Sequence, residues 1–119
     1  MLDDLIRFDV ALEIRNSEQR KPWRSGLYSK TLVKNENLRV VLISMEPGAT
    51  LKEHHAGGPI TVHVLYGWIR FYAGAQQHAL RAGQILVLGG AIKHAVESMG
   101  HSALLLTLSL PGVANLGQR

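Results

Sequence analysis

The chain has 119 residues, contains no cysteine and carries a formal net charge of +4. This length suits one domain that can bury a core without crosslinks. The missing cysteine excludes disulfides, thiolate metal sites and thiol nucleophiles, and fits a reducing compartment. No signal peptide is recognisable at the start, and no tract reaches the ~20 apolar residues of a membrane helix. We therefore expect a cytoplasmic protein without a membrane partner.

The charges are concentrated in the first third of the chain. Residues 1–39 contain eight Lys or Arg and six Asp or Glu, whereas residues 40–119 contain five and three. A basic segment of this kind can bind nucleic acid. Only Trp23 and Tyr28 lie within it as aromatics for base stacking, and no DNA-binding motif accompanies them. We favour a solvated surface segment over a nucleic-acid-binding one.

The first elements in chain order are a helix and a connector. Apolar residues recur near helical spacing, which predicts a helix over residues 2–15; they are Leu2, Leu5, Ile6, Val10 and Ile14. The polar stretch from Asn16 to Gly26 contains Pro22 and indicates a connector. Residues 1–27 are thus predicted to form an N-terminal arm, and residues 28–119 a separate barrel domain.

From Leu27 onward the pattern predicts short strands separated by turns. The predicted strands cover residues 28–34, 38–45, 60–66, 68–73, 76–81, 85–88, 94–97 and 103–110. Glycine, proline and asparagine occupy the turns between them. Evenly spaced short strands indicate an all-β antiparallel barrel or sandwich. No crossover helix is predicted after Leu27, which disfavours a parallel α/β fold.

Two of these strands are apolar on both faces. They are Ile85–Leu88 and Ala103–Leu106. A strand with one face in water would alternate between apolar and polar residues. The second face is therefore expected to be covered by the N-terminal arm or by another subunit. We predict a homodimer that packs through strand faces.

The histidines are the candidate site residues. There are six, at positions 54, 55, 63, 78, 94 and 101. In a chain without cysteine, converging imidazoles are the usual ligands of a divalent transition metal. His54 and His94 are separated by several strand-turn units, which suits neighbouring strands of a closed barrel. His78 and His101 are predicted to be ordinary exposed histidines.

The spacing of these residues resembles the cupin superfamily. Its first motif, G-x5-H-x-H-x3,4-E-x6-G, is matched by Gly48, His54 and Gly67. Its second, G-x5-P-x-G-x2-H-x3-N, is matched by Gly83 and His94. The resemblance covers residues 38–110 and implies a jelly-roll barrel, the antiparallel double-stranded β-helix, preceded here by a helical arm.

The resemblance is incomplete at the metal ligands that it implies. Ala56 stands at the position of the second histidine and Ile60 at that of the glutamate. A third ligand would have to be His63 or His55, through a shift of strand parity near residues 57–59. Without that shift, a strand with residue 60 inward would turn His63 outward. The full metal set is predicted to be His54, His63 and His94.

Three functions remain open on the sequence. The first is a cupin that binds a small molecule in its barrel, with or without Zn, Fe, Mn or Ni. The second is a metal-dependent enzyme of the dioxygenase or isomerase type. The third is a structural or regulatory dimer with a vestigial pocket. The apolar residues expected in the pocket favour a partly apolar or neutral ligand over a polyanion, although Arg39, Arg70 and Arg81 could face either side.

Overall fold

The computed structural model describes residues 5–54, 57–90 and 92–110, with the backbone alone for Glu53 and His54. One α-helix, α1 (Val10–Glu18), precedes the strands. The strands are β1 (Leu27–Lys34), β2 (Leu38–Met45), β3 (Thr50–His54), β4 (Ile60–Tyr66), β5 (Trp68–Ala73), β6 (Gln76–Arg81), β7 (Ile85–Leu88), β8 (His94–Ser98) and β9 (Ser102–Ser109).

Helix α1 begins later and ends later than the periodicity predicts. The side chain of Asp9 accepts a hydrogen bond of 3.0 Å from the backbone N–H of Leu12, so Asp9 caps the helix and residues 5–9 lie outside it. The predicted start is wrong because the apolar spacing continues on the N-terminal side of Asp9, the residue that caps the helix. Within the described ranges, no helix is long and apolar enough to span a bilayer.

The strands form two antiparallel sheets. Sheet A has the order β1-β2-β9-β4-β7, and sheet B has the order β3-β8-β5-β6. The predicted all-β antiparallel architecture is confirmed, and the eight predicted strands are present within one residue at each end. Strand β3 was not predicted. It is an edge strand, and edge strands often carry charges such as those of Lys52 and Glu53 in place of clean alternation.

The core lies between the two sheets. Alternate residues of β4 face it, and Ile60, Val62 and Val64 are all buried. From sheet B, Ile69 and Phe71 pack against them. Because side chains alternate along a strand, the intervening residues of β4 belong to the outer face of sheet A.

Short connections fold sheet B onto sheet A. Gly67 alone joins β4 to β5, and residues 46–49, 82–84 and 99–101 join β2 to β3, β6 to β7 and β8 to β9. All four connections lie at one end of the barrel, which we name the closed end. Strands joined by such short links remain neighbours. Across the core, β3 therefore faces β2, β8 faces β9 and β5 faces β4.

Helix α1 covers part of the outer face of sheet A. The hydroxyls of Ser17 and Ser44 lie 2.9 Å apart, and Trp23 Nε1 donates to the Ser17 carbonyl at 2.8 Å. Beneath them Leu42 is fully buried. The cover does not extend to β7, where Ile85 is 59% exposed and Val87 is 71% exposed.

Candidate functional site

His94 lies on the inner face of sheet B, at the end of the barrel opposite the closed end. It is the first residue of β8 and is 4% exposed. Its ring stacks on Phe71, with centroids 5.6 Å apart and an interplanar angle of 12°. Its Nδ1 lies 3.0 Å from the Ile92 carbonyl oxygen. When Nδ1 donates to that oxygen, the imidazole is the tautomer whose lone pair is on Nε2.

His54 occupies the register position directly opposite His94. Strands β3 and β8 pair antiparallel, with Leu51 opposite Val96 and His54 opposite His94. Three residues of β3 therefore span two residues of β8, which is a β-bulge. The bulge brings two histidines that are 40 positions apart into one cross-strand pair, in agreement with the proximity that the sequence indicated.

His63 does not join this pair. The pairing of β4 with β9 runs without a shift from Ile60 to Val64, and the bulge in this ladder comes later, between Val64 and Tyr66. Since Ile60 and Val62 face the core, His63 lies on the outer face, opposite Leu105. The structure therefore does not bring His63 to the face that carries His94.

Some residues singled out in the sequence lie outside the described part of the chain. They are His55 and Ala56, and only the backbone of His54 is described. His78 is exposed and bonds to Gln76, as an ordinary surface histidine does. The hydroxyl of Ser98, at the position of the motif's asparagine, donates to the Gly100 carbonyl and lies 3.1 Å from the Ser102 hydroxyl, so it organises the closed end.

The inner face around His94 is mostly apolar. At this end of the barrel, the last cross-strand row on the inner side of sheet A contains Arg39, Leu108, Ile60 and Leu88. The row of sheet B that faces it contains His54, His94 and Ala73. We name this region the His94 end. Ile60 and Leu88 are buried in the core cluster, and Leu108 packs against it. A ligand here would meet hydrocarbon walls and few polar groups, as in many small-molecule sites.

The side chains described at the His94 end do not supply three protein ligands for a divalent metal. Ile60 replaces the carboxylate that the resemblance implies, and it is 3% exposed within the apolar core. Among residues whose side chains the structure describes, no group of three His, Cys, Asp or Glu converges. Two imidazoles at positions 54 and 94 would leave a metal with most of its coordination supplied by water or ligand.

Arg39 is the site residue that the sequence did not identify. Its alternation with Val41, Ile43 and Met45, which belong to or pack against the core, places it on the inner face of β2. Alternation alone could not show this, because Val40 and Leu42 on the other face of β2 are also apolar, and which face lies inward depends on the contacts of β2 with distant strands. Arg70 belongs to the other face of β5, since Ile69 and Phe71 are the buried residues on either side of it.

Solved structures of cupins match this architecture. A cupin superfamily protein from Desulfitobacterium hafniense matches with a TM-score of 0.71 at 18% identity, covering 76% of this chain and 83% of that one. A cupin 2 conserved barrel domain protein from Leptotrichia buccalis matches with a TM-score of 0.69 at 31% identity, covering 77% of this chain and 45% of that one. The chain has the cupin fold.

The same cupin fold also carries enzymes. An oxalate decarboxylase from Bacillus subtilis matches with a TM-score of 0.68 at 17% identity, covering 73% of this chain and 26% of that one. No protein-family model matches the sequence, and no curated protein matches it. The comparisons thus show the fold. Because one fold can have many functions, the chemistry depends on the side chains of this chain.

Proposed function

We propose that this cupin-fold chain binds a small organic molecule at the His94 end of its barrel. The observation that carries the proposal is His94 itself, a polar ring buried on an inner face that is mostly apolar. Stacking on Phe71 and the contact of Nδ1 with the Ile92 carbonyl hold the ring in one orientation. An oriented imidazole beside hydrocarbon walls gives a ligand one directional contact and a dry surface.

A thermal-shift screen tests this proposal. A ligand that binds only the folded state at a hundred times its Kd stabilises that state by about 2.7 kcal/mol. We expect hits from a library of small organic acids, phenols and sugars to stabilise the wild type. His94→Phe keeps an aromatic ring that can stack on Phe71 but removes both ring nitrogens, so the stabilisation is expected to disappear.

The control for this experiment is His78→Phe, which makes the same change at an exposed position on β6. It is expected to keep the wild-type response to every hit. If the hits stabilise His94→Phe and the wild type equally, the ligand does not use His94 and the proposed site is wrong. If the library contains no hit for the wild type, the proposal of a small-molecule pocket loses its support.

A metal-dependent enzyme is the second candidate, and the pairing of His54 with His94 favours it. Neutral imidazoles are common ligands of Zn, Fe, Mn and Ni. The described donors fall short of three, so we derive no catalytic step through a metal. Elemental analysis of protein purified without a His tag tests this candidate. Stoichiometric metal that is lost in His54→Ala and kept in His78→Ala would support it, and metal-free protein after growth with each of the four metals would reject it.

A further inference from the structure

A half-buried arginine at the His94 end, whose Nε atom is buried, indicates what kind of ligand the barrel takes. Arg39 lies in the inner row of sheet A, with Leu108 as its neighbour on β9. Strand β2 faces β3, the strand that pairs with β8, so the row containing Arg39 lies across the barrel from the row containing His94. Facing sheets are ~10 Å apart, and a long arginine side chain can span much of that gap.

The Nε atom of Arg39 is buried and has no hydrogen-bond acceptor among the described residues. None of the ion pairs in those residues includes Arg39 either. A guanidinium stays charged at any ordinary pH, and a buried N–H group without an acceptor is costly. Among the described charged side chains, Lys34 lies opposite Arg39 on β1, and Glu36 lies in the exposed turn between β1 and β2.

We infer that the ligand of the His94 end is a small carboxylic acid, whose carboxylate Arg39 binds. This inference rests on the proposed function and assigns its ligand class. A carboxylate offers two coplanar oxygens, which match the forked N–H groups of a guanidinium. The apolar row beside Arg39, with Leu108 and Ile60, would pack the hydrocarbon part of the acid. A polyphosphate would find a single inner-face arginine and hydrocarbon walls, so it fits less well.

A small carboxylic acid agrees with the expectation of a partly apolar ligand and narrows it. That expectation depended on Ile60, Val62, Val64 and Phe71, which are inward and buried as predicted. It left open the direction of Arg39, which the register of β2 now assigns to the same interior. Of the two ligand kinds expected, partly apolar or neutral, Arg39 favours a partly apolar molecule that carries an acid group.

Matched pairs of probes test the carboxylate directly. Hexanoate and benzoate are compared with hexanol and benzyl alcohol, which keep the hydrocarbon part and lack the charge. Binding is measured by calorimetry or by chemical-shift titration. We expect the acids to bind at least about tenfold tighter than the alcohols, because a carboxylate accepts charge-assisted hydrogen bonds from a guanidinium and an alcohol does not. Inorganic phosphate is expected to bind more weakly than either acid.

Variants then assign the effect to Arg39. Arg39→Gln is expected to lose the preference for acid over alcohol, and Arg39→Lys, which keeps the charge without the fork, to retain part of it. Arg81→Gln is the control, because Arg81 is exposed and lies over Trp68. It is expected to bind the acids as the wild type does. Circular dichroism checks that each variant is folded, and Arg39→Lys provides a readout if Arg39→Gln does not fold.

The outcomes separate this inference from the proposed function. If the alcohols bind as tightly as the acids and lose binding in His94→Phe, the carboxylate inference fails and the small-molecule site stands. If phosphate binds more tightly than the acids through Arg39, the ligand class is wrong. If the acids bind equally to Arg39→Gln and to the wild type, Arg39 does not bind them.

Discussion

Three titratable side chains meet where the N-terminal arm crosses the closed end of the barrel. Glu18 Oε2 lies 3.3 Å from His101 Nε2, and the Tyr66 hydroxyl lies 3.5 Å from the same nitrogen. The ring of His101 also packs on Trp23, with centroids 5.7 Å apart. His101 therefore links α1 and the connector to β4 and is more than the ordinary exposed histidine that its turn position predicted. The partners are 35 and 83 positions away, so local sequence could not reveal them.

Burial raises the pKa of Tyr66, and the nearby Glu18 carboxylate raises it further. The folded chain therefore holds the phenol proton at pH values where the unfolded chain, with an ordinary pKa of 10.0, already loses it. The stabilisation is fully present below about pH 10. It is lost as pH rises through the higher pKa of the folded state. Tyr66→Phe is expected to make unfolding free energy less dependent on pH above about pH 10.

Urea unfolding followed by circular dichroism across this alkaline range measures the effect. Tyr28→Phe also removes one phenol and serves as the control. Tyr28 lies on β1, opposite Ser44 on the outer face of sheet A, and takes no part in the contact of Glu18, Tyr66 and His101. The Tyr66→Phe curve should be flatter than both the wild-type and the Tyr28→Phe curves. Equal slopes in all three proteins would show that Tyr66 does not ionise differently in the folded and unfolded states.

At the scale of elements, the closed end depends on one glycine between β4 and β5. Gly67 has a φ of +86°, and a Cβ there would overlap the His101 carbonyl oxygen and Ser102. Across the same contact, the Ser102 hydroxyl accepts from the Trp68 N–H at 3.0 Å and lies 3.1 Å from the Trp68 carbonyl oxygen. The turn between β8 and β9 can pack this closely on the turn between β4 and β5 only because residue 67 has no side chain.

Gly83 provides a matched control for this contact. Its φ is +88°, nearly that of Gly67, but a Cβ there would meet nothing within 4 Å. Gly83→Ala is expected to cost only the left-handed backbone strain, about 1–2 kcal/mol. Gly67→Ala adds a steric clash with backbone and is expected to cost more than about 3 kcal/mol or to prevent folding. Chemical denaturation compares the two variants, and equal costs would mean that the two turns are not in close contact.

The elements were predictable because their signals are local. Glycine and proline mark the turns, and alternation marks strands such as Ile60–Tyr66, so most boundaries follow from neighbouring residues. Strand β3 gave no such signal. The face of His63 also followed from alternation once Ile60 was placed inward. The bulge that pairs His54 with His94 and the register that turns Arg39 inward depend on contacts between distant strands, and no local pattern encodes them.

For the whole molecule, the outer face of sheet A leaves an apolar surface beyond the helix. One row of cross-strand neighbours runs through Leu42, Leu105, His63 and Ile85, and the next through Val40, Thr107, Thr61 and Val87. In the first row, exposure rises from 0% at Leu42 to 59% at Ile85. On β2, β9, β4 and β7 neither row contains Lys, Arg, Asp or Glu, and the first row ends on β1 at Lys30, which pairs with Glu13 of the helix. Strand β7 is also an edge strand without a charge, which leaves it open to pairing and aggregation.

We propose that a second copy of the chain covers this surface. Two molecules that each carry a charge of +4 repel one another, and a contact free of charges keeps that repulsion small. With ordinary strand spacing and rise per residue, the apolar patch on β9, β4 and β7 has an area of about 300–400 Å². A standard interface buries roughly 800 Å² on each partner. Leu5, Ile6 and Phe8 are exposed in each copy and could supply further apolar area from the partner.

Sedimentation tests the homodimer through variants on the two sheets. The wild type is expected to sediment at about twice the 13.1 kDa of one chain at micromolar concentration. Val87→Lys places a charge on the proposed contact and is expected to weaken the dimer at least about tenfold, since a buried unpaired charge is strongly unfavourable. Gln77→Lys adds the same charge at an exposed position of sheet B and is expected to leave the dimer intact.

Crosslinking identifies the face, because the natural chain has no cysteine to compete. Val87→Cys carries one thiol on the exposed outer face of β7, and Gln77→Cys carries one on β6. If the outer faces of sheet A meet, a bismaleimide reagent joins two copies of Val87→Cys and leaves Gln77→Cys as single chains. A wild type that stays monomeric at tens of micromolar, or a crosslink only at position 77, would contradict the proposed dimer. In the expected dimer, His63 lies in the subunit contact, while His94 and Arg39 remain inside each barrel. His63 and His94, which the sequence predicted as ligands of one metal, then belong to separate surfaces.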